Sequence, residues 1–542
     1  MYDLIIKQAR IMDGSGSPSY IADVAIQGDS IVLIGDLSQA EAKEVIDASQ
    51  FALAPGFIDL HTHSDSTFLI EGLAHSHIRQ GVTTAGLGNC GGSAAPRNEA
   101  MQADSLRLQG AFYPTVTPAH FSTVAEYFAE VESRGISQNA VYWVGQGTIR
   151  QVVMGFDSSK PSPEQLDAMK ALTRQAMEDG AIGISTGLIY TPSIYAEEDE
   201  IIELAKETAP YGGVYSTHIR GENDTVIEAI QEALNIAKAA NIPVQISHLK
   251  AMGRHMWGKS VDILHMLEKA VEEGIDVTFD QYPYTAAACG LDTVLPPWAS
   301  VGGKQKMVER LQDSTERAKM LEDITSPQGK DGWFSIWKGV GWENIMIVGN
   351  SADTSVEGKT IAEIGEMWSM DPWDACCEMI IRKGGDRVSI VYFSIGEEDM
   401  ERIMKHPLHM VGSDSSGVGN TGLLARGKAH PRGFGSFVKV LGHFARDRGF
   451  FTQEEAVRKM TSAPALRVGM MDRGFIRPGY KADLVLFNPD TVDAQGDYVD
   501  PSQYPVGICK VWVNGVLTVD GENHTGANAG RVLRRQDLGL AH

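Results

Sequence analysis

The chain has 542 residues with a hydrophobic content of 43%, which suits one large barrel with additions or two to three domains. Its formal net charge of −23 argues against a nucleic-acid-binding surface, and no apolar run predicts a membrane span or a signal peptide. The five cysteines are odd in number and form no Cys-x-x-Cys pair, so we expect free thiols and a cytoplasmic location.

Short β-strands are predicted at both ends of the chain. Apolar residues separated by turn residues predict strands over 3–6, 24–26, 30–34, 482–487 and 511–513. Asn514-Gly515 is a strong hairpin signal. We expect one small β-sandwich domain built from residues 1–54 and 467–542, and two independent β-extensions are the alternative.

The middle of the chain, residues 55–466, alternates strand-like and helical segments. Eight apolar runs predict buried strands, over 57–60, 83–87, 141–144, 181–185, 214–217, 244–247, 277–279 and 409–412. One intervening helix is predicted to start at N-cap Ser162, with Pro163 at its first position and Gln165 closing a capping box. The alternation predicts an α/β fold, a (β/α)₈ barrel of the TIM type. The alternative, a doubly wound open sheet, is disfavoured because no Gly-x-Gly-x-x-Gly motif follows the first strand.

The connection between the last two predicted strands is too long for an ordinary crossover. Much of this connection, roughly residues 285–350, includes a stretch rich in glycine and tryptophan over residues 332–342. We expect an inserted lid subdomain over the barrel mouth, at the carboxyl-terminal face where such barrels place their active sites.

Six metal-binding residue types follow the ends of predicted strands: His61, His63, Cys90, His218, His248 and Asp414. The carboxyl ends of barrel strands share one face, so we expect these side chains to converge. His61 and His63 are two positions apart on an extended chain and therefore point to the same side. Glycines flank Cys90 and permit close backbone approach. Packed histidines, an inert cysteine and an N-cap aspartate are the alternatives for each residue alone, but together the six predict a zinc site for hydrolysis.

Several ordered motifs resemble those of a known enzyme family. They are residues 61–65 (His-Thr-His-Ser-Asp), 88–91 (Gly-Asn-Cys-Gly), 185–190 (Ser-Thr-Gly-Leu-Ile-Tyr), 217–222 (Thr-His-Ile-Arg-Gly-Glu), 280–285 (Asp-Gln-Tyr-Pro-Tyr-Thr) and 430–433 (His-Pro-Arg-Gly). The first motif resembles the amidohydrolase superfamily. The others resemble its D-aminoacylase branch, the N-acyl-D-amino-acid deacylases, and the resemblance runs essentially end to end.

The bridging ligand distinguishes this branch from other amidohydrolases. Hydantoinases and dihydroorotases bridge two metals with a carbamylated lysine after the fourth strand, whereas residues 183–188 of this chain contain no lysine. Cys90 is the available bridging anion. By resemblance, Cys90, His218 and His248 hold one tight Zn²⁺ ion, and His61 and His63 share Cys90 to form a second, weaker site.

The resemblance implies zinc-dependent hydrolysis of the amide bond of N-acyl-D-amino acids, small molecules that yield a carboxylate and a free D-amino acid. A metal-activated hydroxide is the expected nucleophile, with Asp414 as the proton shuttle. The D preference follows from the resemblance alone, and no oligomeric state is indicated. Four residues are expected to bind the substrate: Lys250, Tyr190, Tyr282 and Arg432.

Other interpretations stay open at this point. Arg220 and Glu222 are candidates for a pair that orients the metal ligands. The alternative functions are a cyclic-amide or D-dipeptide hydrolase of the same superfamily, and a non-catalytic barrel used as a scaffold.

Overall fold

The computed structural model of the protein describes residues 1–330, 332–349, 353–425, 427–428 and 430–539. Its strands are β1 (Tyr2–Ile11), β2 (Tyr20–Gln27), β3 (Ser30–Gly35), β4 (Ala42–Asp47), β5 (Ala52–Pro55), β6 (Phe57–Asp59), β7 (Val82–Leu87), β8 (Asn139–Gly145), β9 (Gly183–Gly187), β10 (Val214–His218), β11 (Val244–Ile246), β12 (Val277–Gln281), β13 (Ala287–Gly290), β14 (Ile345–Gly349), β15 (Ser389–Tyr392), β16 (His409–Val411), β17 (Leu484–Phe487), β18 (Ile508–Val513), β19 (Val516–Asp520) and β20 (Asn523–His524).

Helices occupy most of the connections between these strands. They are α1 (Thr67–Ile70), α2 (His75–Ile78), α3 (Glu99–Phe112), α4 (Val124–Arg134), α5 (Gln146–Met154), α6 (Pro163–Glu178), α7 (Glu198–Thr208), α8 (Val226–Ala240), α9 (Ser260–Glu272), α10 (Lys304–Gln312), α11 (Ser314–Thr325), α12 (Ile336–Val340), α13 (Ile361–Trp368), α14 (Pro372–Arg382), α15 (Glu397–Lys405), α16 (Arg432–Lys439), α17 (Gln453–Met460) and α18 (Ser462–Arg467). A π-helical stretch, Val440–Asp447, continues α16.

Both ends of the chain contribute to one mixed β-sheet of nine strands. Its order is β20-β19-β18-β17-β5-β1-β2-β3, with β4 paired to β1. The two ends meet where β17 pairs antiparallel with β5. Asn514 and Gly515 connect β18 to β19 with φ angles of 48° and 78°, as a type I′ hairpin turn requires. The prediction that both termini build one β-structure is therefore confirmed, and that structure is a single mixed sheet.

Eight parallel strands form the predicted barrel. Their order is β16-β12-β11-β10-β9-β8-β7-β6, and every pairing between neighbours is parallel. The barrel closes just past β6 and β16, where the Asp414 N–H donates to the His61 carbonyl at 2.9 Å and the His63 N–H donates to the Ser415 carbonyl at 2.9 Å. The prediction of a (β/α)₈ barrel is confirmed.

Strand β8 shows how the barrel core is built. Val141 and Trp143 pack with Ile58, whereas Tyr142 and Val144 belong to a second apolar cluster with the surrounding helices. Alternate residues therefore face opposite sides of the strand, which leaves both faces apolar, as a buried parallel strand requires.

Helix α6 begins as its sequence predicts. Ser162 is the N-cap, and its side chain accepts from the Gln165 N–H at 3.3 Å. The Gln165 side chain in turn accepts from the Ser162 N–H at 2.8 Å, which completes the capping box.

An insertion interrupts the barrel between β12 and α15. Strands β13, β14 and β15 form an antiparallel sheet with β15 in the centre. Because β15 ends at Tyr392, the insertion extends well beyond the predicted residue 350. Among the described residues, no helix combines the length and apolarity that crossing a membrane requires.

A buried polar cluster joins the terminal sheet to the barrel. Arg473 forms an ion pair with Asp483, and both side chains are almost fully buried. Asp483 also accepts from the Asn514 N–H at 2.6 Å and from the Asn139 side chain at 3.0 Å. Asn139 begins β8, so this cluster fixes the β-domain to the amino-terminal end of a barrel strand.

Replacing Asp483 with alanine tests this junction. The variant leaves Arg473 buried without its partner, so we expect the free energy of unfolding to fall by about 3–5 kcal/mol. The control is Asp520→Ala in the more exposed Lys510–Asp520 pair, with an expected loss of at most about 1 kcal/mol. Urea unfolding measures both, and equal losses would contradict a structural role for the buried cluster.

Candidate metal centre

The six predicted ligands lie together at the carboxyl ends of the barrel strands. The Cys90 Sγ atom lies 3.3 Å from His61 Nε2 and 3.6 Å from His248 Nε2. Asp414 Oδ1 lies 3.6 Å from His61 Nε2 and 3.0 Å from His63 Nε2. One possible metal-ligand atom from each of His61, Cys90, His248 and Asp414 lies within 4.8 Å of the other three.

Three of these residues have left-handed backbone conformations. The φ angles are 52° at Cys90, 36° at His248 and 49° at Asp414, and in the described chain only eight non-glycine residues have positive φ. Such torsions cost about 1–3 kcal/mol each and persist only where the surrounding structure enforces them. The fold thus holds these side chains in place at the expense of stability.

The Cys90 loop approaches neighbouring backbone closely, as its glycines predict. A Cβ atom on Gly88 would lie 1.9 Å from the Trp143 carbonyl oxygen. A Cβ atom on Gly187, at the end of β9, would lie 2.0 Å from the Cys90 carbonyl oxygen. Both positions exclude any side chain, so these glycines set where the Cys90 thiol sits.

Glu222 connects His218 and His248. Its carboxylate lies 3.0 Å from His248 Nδ1 and 3.6 Å from His218 Nε2, and it binds the ammonium of Lys250. All four side chains are buried. Arg220 instead pairs with Glu232 at 2.7 Å, so the Arg220–Glu222 pair considered from the sequence does not form.

Two aspartates that the sequence analysis did not assign support the same ligands. Asp280 Oδ1 lies 3.1 Å from His61 Nδ1 and accepts from the His248 N–H at 2.8 Å. Asp59 accepts from the His61 N–H at 3.1 Å, and burial raises the pKa of Asp59 to about 7. In the sequence, the signal that could have identified them is an acidic residue near the carboxyl end of each of the two predicted buried strands.

Local charges offset the cost of burying the acidic groups. Burial disfavours the charged form of Asp414, but Arg432, at 2.8 Å, and the surrounding histidines together outweigh it and hold the pKa of Asp414 well below its ordinary value. Burial likewise opposes the Cys90 thiolate, but His61, His218 and His248 together outweigh it and hold the pKa of Cys90 well below that of a free thiol. Both groups are therefore anionic, the charge state that a metal ion attracts.

The cluster fits a zinc ion. Both ring nitrogens of His218 are buried and hydrogen-bond to no other described side chain or backbone group. A buried imidazole without a hydrogen bond is costly, whereas a metal ligand needs a free nitrogen. Thiolate, imidazole and carboxylate are the ligands that zinc prefers.

A cavity of about 680 Å³ opens onto this cluster. His63, Cys90, Asp414, Tyr190 and Arg432 lie in its wall. The insertion forms the facing wall with Ala288, Cys289, Asp292, Val348, Gly349, Arg387, Ser389 and Ile390. Among these is Cys289, whose thiol has a pKa that burial raises to about 12.

Two predicted substrate contacts lie behind the cavity wall. Lys250 Nζ binds Glu222 and lies 2.9 Å from His248 Nδ1. The ring of Tyr282 lies 4.7 Å from the Arg432 guanidinium and supports it from behind. Lys250 is buried, and two of its three ammonium donors face Glu222 and His248.

A (β/α)₈ barrel with a buried His/Cys/Asp cluster at the carboxyl face defines a metal-dependent hydrolase. The sequence pattern of the amidohydrolase family matches residues 44–288 and 376–519. The chain is 34% identical to D-aminoacylase of Alcaligenes xylosoxydans xylosoxydans, over 98% of each chain.

Solved structures show the same likeness. The fold matches N-acyl-D-glutamate deacylase of Bordetella bronchiseptica, complexed with zinc and a phosphonate inhibitor, with a TM-score of 0.81 and 32% identity over 98% of this chain and 99% of that one. It also matches a D-aminoacylase with a binuclear metal centre, with a TM-score of 0.81 and 31% identity over 98% of this chain and 100% of that one. The chain belongs to the amidohydrolase family, and within it to the group of N-acyl-D-amino-acid deacylases.

Gly187→Ala tests the placement of Cys90. The new Cβ atom would overlap the Cys90 carbonyl oxygen, so we expect the loop to shift and zinc affinity to fall by about 10-fold or more. Gly110→Ala in α3 is the control, because nothing lies within 4 Å of its new Cβ atom. Zinc affinity is measured by competition with a chelating dye, and unchanged affinity in Gly187→Ala would refute the constraint.

Glu222→Gln tests the support of the two histidines. The substitution removes the negative charge that orients His248 and balances the Lys250 ammonium. We therefore expect zinc affinity to fall by about 10–100-fold. Glu232→Gln, which removes the charge that pairs with Arg220, should bind zinc as the parent does. If the two variants bind zinc equally well, Glu222 does not orient the ligands.

Proposed function

We propose that this enzyme hydrolyses the amide bond of N-acyl-D-amino acids and releases a carboxylate and a free D-amino acid. The observation that carries the proposal is the convergence of His61, Cys90, His248 and Asp414, of which Cys90 and Asp414 line the cavity. A cavity of about 680 Å³ has room for a small acylated amino acid. The likeness to D-aminoacylase supports the D configuration of the substrate.

Zinc, when bound, supplies Lewis-acid chemistry that activates water and polarises the acyl carbonyl. Cys90, His218 and His248 would hold the tighter ion, and His61 and His63 would share Cys90 to hold a weaker one. Asp280 at His61 Nδ1 and Glu222 at His248 Nδ1 leave the Nε2 atoms of both rings facing Cys90. These carboxylates therefore select the ring nitrogens available to the metal.

Asp414 acts as the proton shuttle in this proposal. Its Oδ2 atom is held by Arg432 at 2.8 Å, while its Oδ1 atom faces His63 at 3.0 Å. Oδ1 accepts a proton from the attacking water and returns it to the amide nitrogen, which leaves as the free amine. The Arg432 contact keeps the carboxylate oriented between these two transfers.

Arg432 also binds the substrate carboxylate. It lines the cavity, where its Nη1 atom faces Asp414 at 2.8 Å and its Nε atom is buried without a hydrogen bond to any other described residue. A buried guanidinium with an unused donor fits a carboxylate well. Tyr190 lies across the same cavity with its ring 5.1 Å from that of His218, where its hydroxyl donates to the acyl oxygen.

A panel of N-acetyl-D- and N-acetyl-L-amino acids tests this function with zinc content measured on the same samples. We expect turnover of D substrates, and Asp414→Asn should lower kcat by about 10²–10⁴-fold because the proton acceptor is lost. The control is Asp224→Asn, whose carboxylate pairs with Lys338 and His255 outside the cavity wall.

Three outcomes would contradict the proposal. Near-normal turnover by Asp414→Asn would remove its shuttle role. Turnover of hydantoins or D-dipeptides without turnover of acylated amino acids would identify a cyclic-amide or dipeptide hydrolase instead. Absence of zinc together with absence of turnover would favour a non-catalytic barrel.

A further inference from the structure

A buried polar cluster beside the metal centre has no role in the chemistry described above. It consists of Gln146, Arg150, Ser193 and Glu200. Arg150 of α5 forms an ion pair with Glu200 of α7, with exposed side-chain fractions of 0% and 2%. The Gln146 amide donates to Glu200 Oε1 at 2.8 Å, and its carbonyl oxygen accepts from the Ser193 hydroxyl.

The ion pair is held from both sides. Arg150 Nη2 donates to the Ser159 carbonyl at 2.7 Å and to the Asp157 carbonyl at 3.3 Å. The Gln146 amide binds the other partner, Glu200. Arg150 Nε has no hydrogen-bond partner among the described residues, but the other contacts of the network hold Gln146 in a fixed position.

Gln146 lies where two walls of the cavity meet. On one side it holds Ser193, which lines the cavity together with Tyr190 and accepts weakly from the Gly187 N–H at 3.4 Å. On the other side, the first turn of α5 binds the Cys90 loop through the Thr148 N–H, which donates to the Gly91 carbonyl at 3.1 Å. The Thr148 hydroxyl also accepts from the Ser93 N–H at 2.8 Å.

We propose that Gln146 is a positioning residue that fixes the wall formed by residues 190–193 relative to the Cys90 loop. Its amide couples the Arg150–Glu200 pair to Ser193, while its backbone starts the helix that contacts the Cys90 loop. Loss of the amide therefore lets the Tyr190 side of the cavity move relative to the metal ligands. The kinetic part of this inference rests on the proposed deacylase function.

Strand β8 offers a matched comparison. Asn139 begins the strand and Gln146 follows its end, about 20 Å away at the usual rise per residue. Both amides are fully buried, and each donates to the carboxylate of a buried Arg–carboxylate pair. The Asn139 cluster faces the terminal β-domain, whereas the Gln146 cluster faces the cavity.

The experiment compares Gln146→Met with Asn139→Leu in the zinc-loaded enzyme. Both variants lose one buried amide and should lose similar stability. Only Gln146→Met should lower kcat/KM for an N-acetyl-D-amino acid, by about 10-fold or more and mainly through KM, because small displacements of a binding wall are costly. Only this variant should show faster amide hydrogen exchange over residues 188–195.

Ser193→Ala separates positioning from general stability. It removes the hydroxyl that Gln146 holds, so the double variant Gln146→Met/Ser193→Ala should lose no more kcat/KM than the worse single variant. Ser193→Thr retains the hydroxyl and should restore most of the activity. Additive losses in the double variant would overturn the proposed coupling.

Two further results would also overturn it. One is unchanged kcat/KM and unchanged exchange over residues 188–195 in Gln146→Met, and the other is an equal kinetic loss in Asn139→Leu. If the parent enzyme turns over no acylated amino acid, the proposed function fails on its own. The exchange comparison, which needs no substrate, then decides the positioning role.

Discussion

The site depends on the hydrogen bonds that close the barrel. The Asp414 N–H donates to the His61 carbonyl, and the His63 N–H donates to the Ser415 carbonyl. This pairing joins residues 353 and 352 positions apart in the chain and brings the Asp414 carboxylate to the two histidines. If these two segments paired one residue out of register, their side chains would turn to the opposite face. The register of this pairing therefore determines the geometry of the cluster.

Holding the clustered side chains in place requires strained backbone torsions. Cys90, His248 and Asp414 all adopt left-handed torsions, and glycines around Cys90 leave no space for side chains. Asp280, Glu222 and Asp59 then hold the ligands from behind through hydrogen bonds. The strained residues are those the proposed chemistry needs, which is the usual location of such strain.

Local patterns in the sequence were enough to predict the barrel strands, the joining of both termini in one β-structure and the convergence of the six candidate ligands. Buried strands and their carboxyl ends have short-range signatures. Side-chain direction was harder to predict. Arg220 turns to Glu232, and Lys250 turns to Glu222 behind the cavity wall. The insertion was underestimated because β15 pairs with β13, about a hundred residues earlier, and local composition gives no sign of that pairing.

The central claim is that Cys90 is a zinc ligand in a hydrolytic centre. The most direct test is the zinc content of the parent enzyme and of Cys90→Ala, measured by elemental analysis after exhaustive dialysis. Folding of both proteins is checked by circular dichroism. We predict at least one zinc ion per parent chain and loss of the tightly held ion in a folded Cys90→Ala. Equal zinc content in the two proteins would contradict this account of the site.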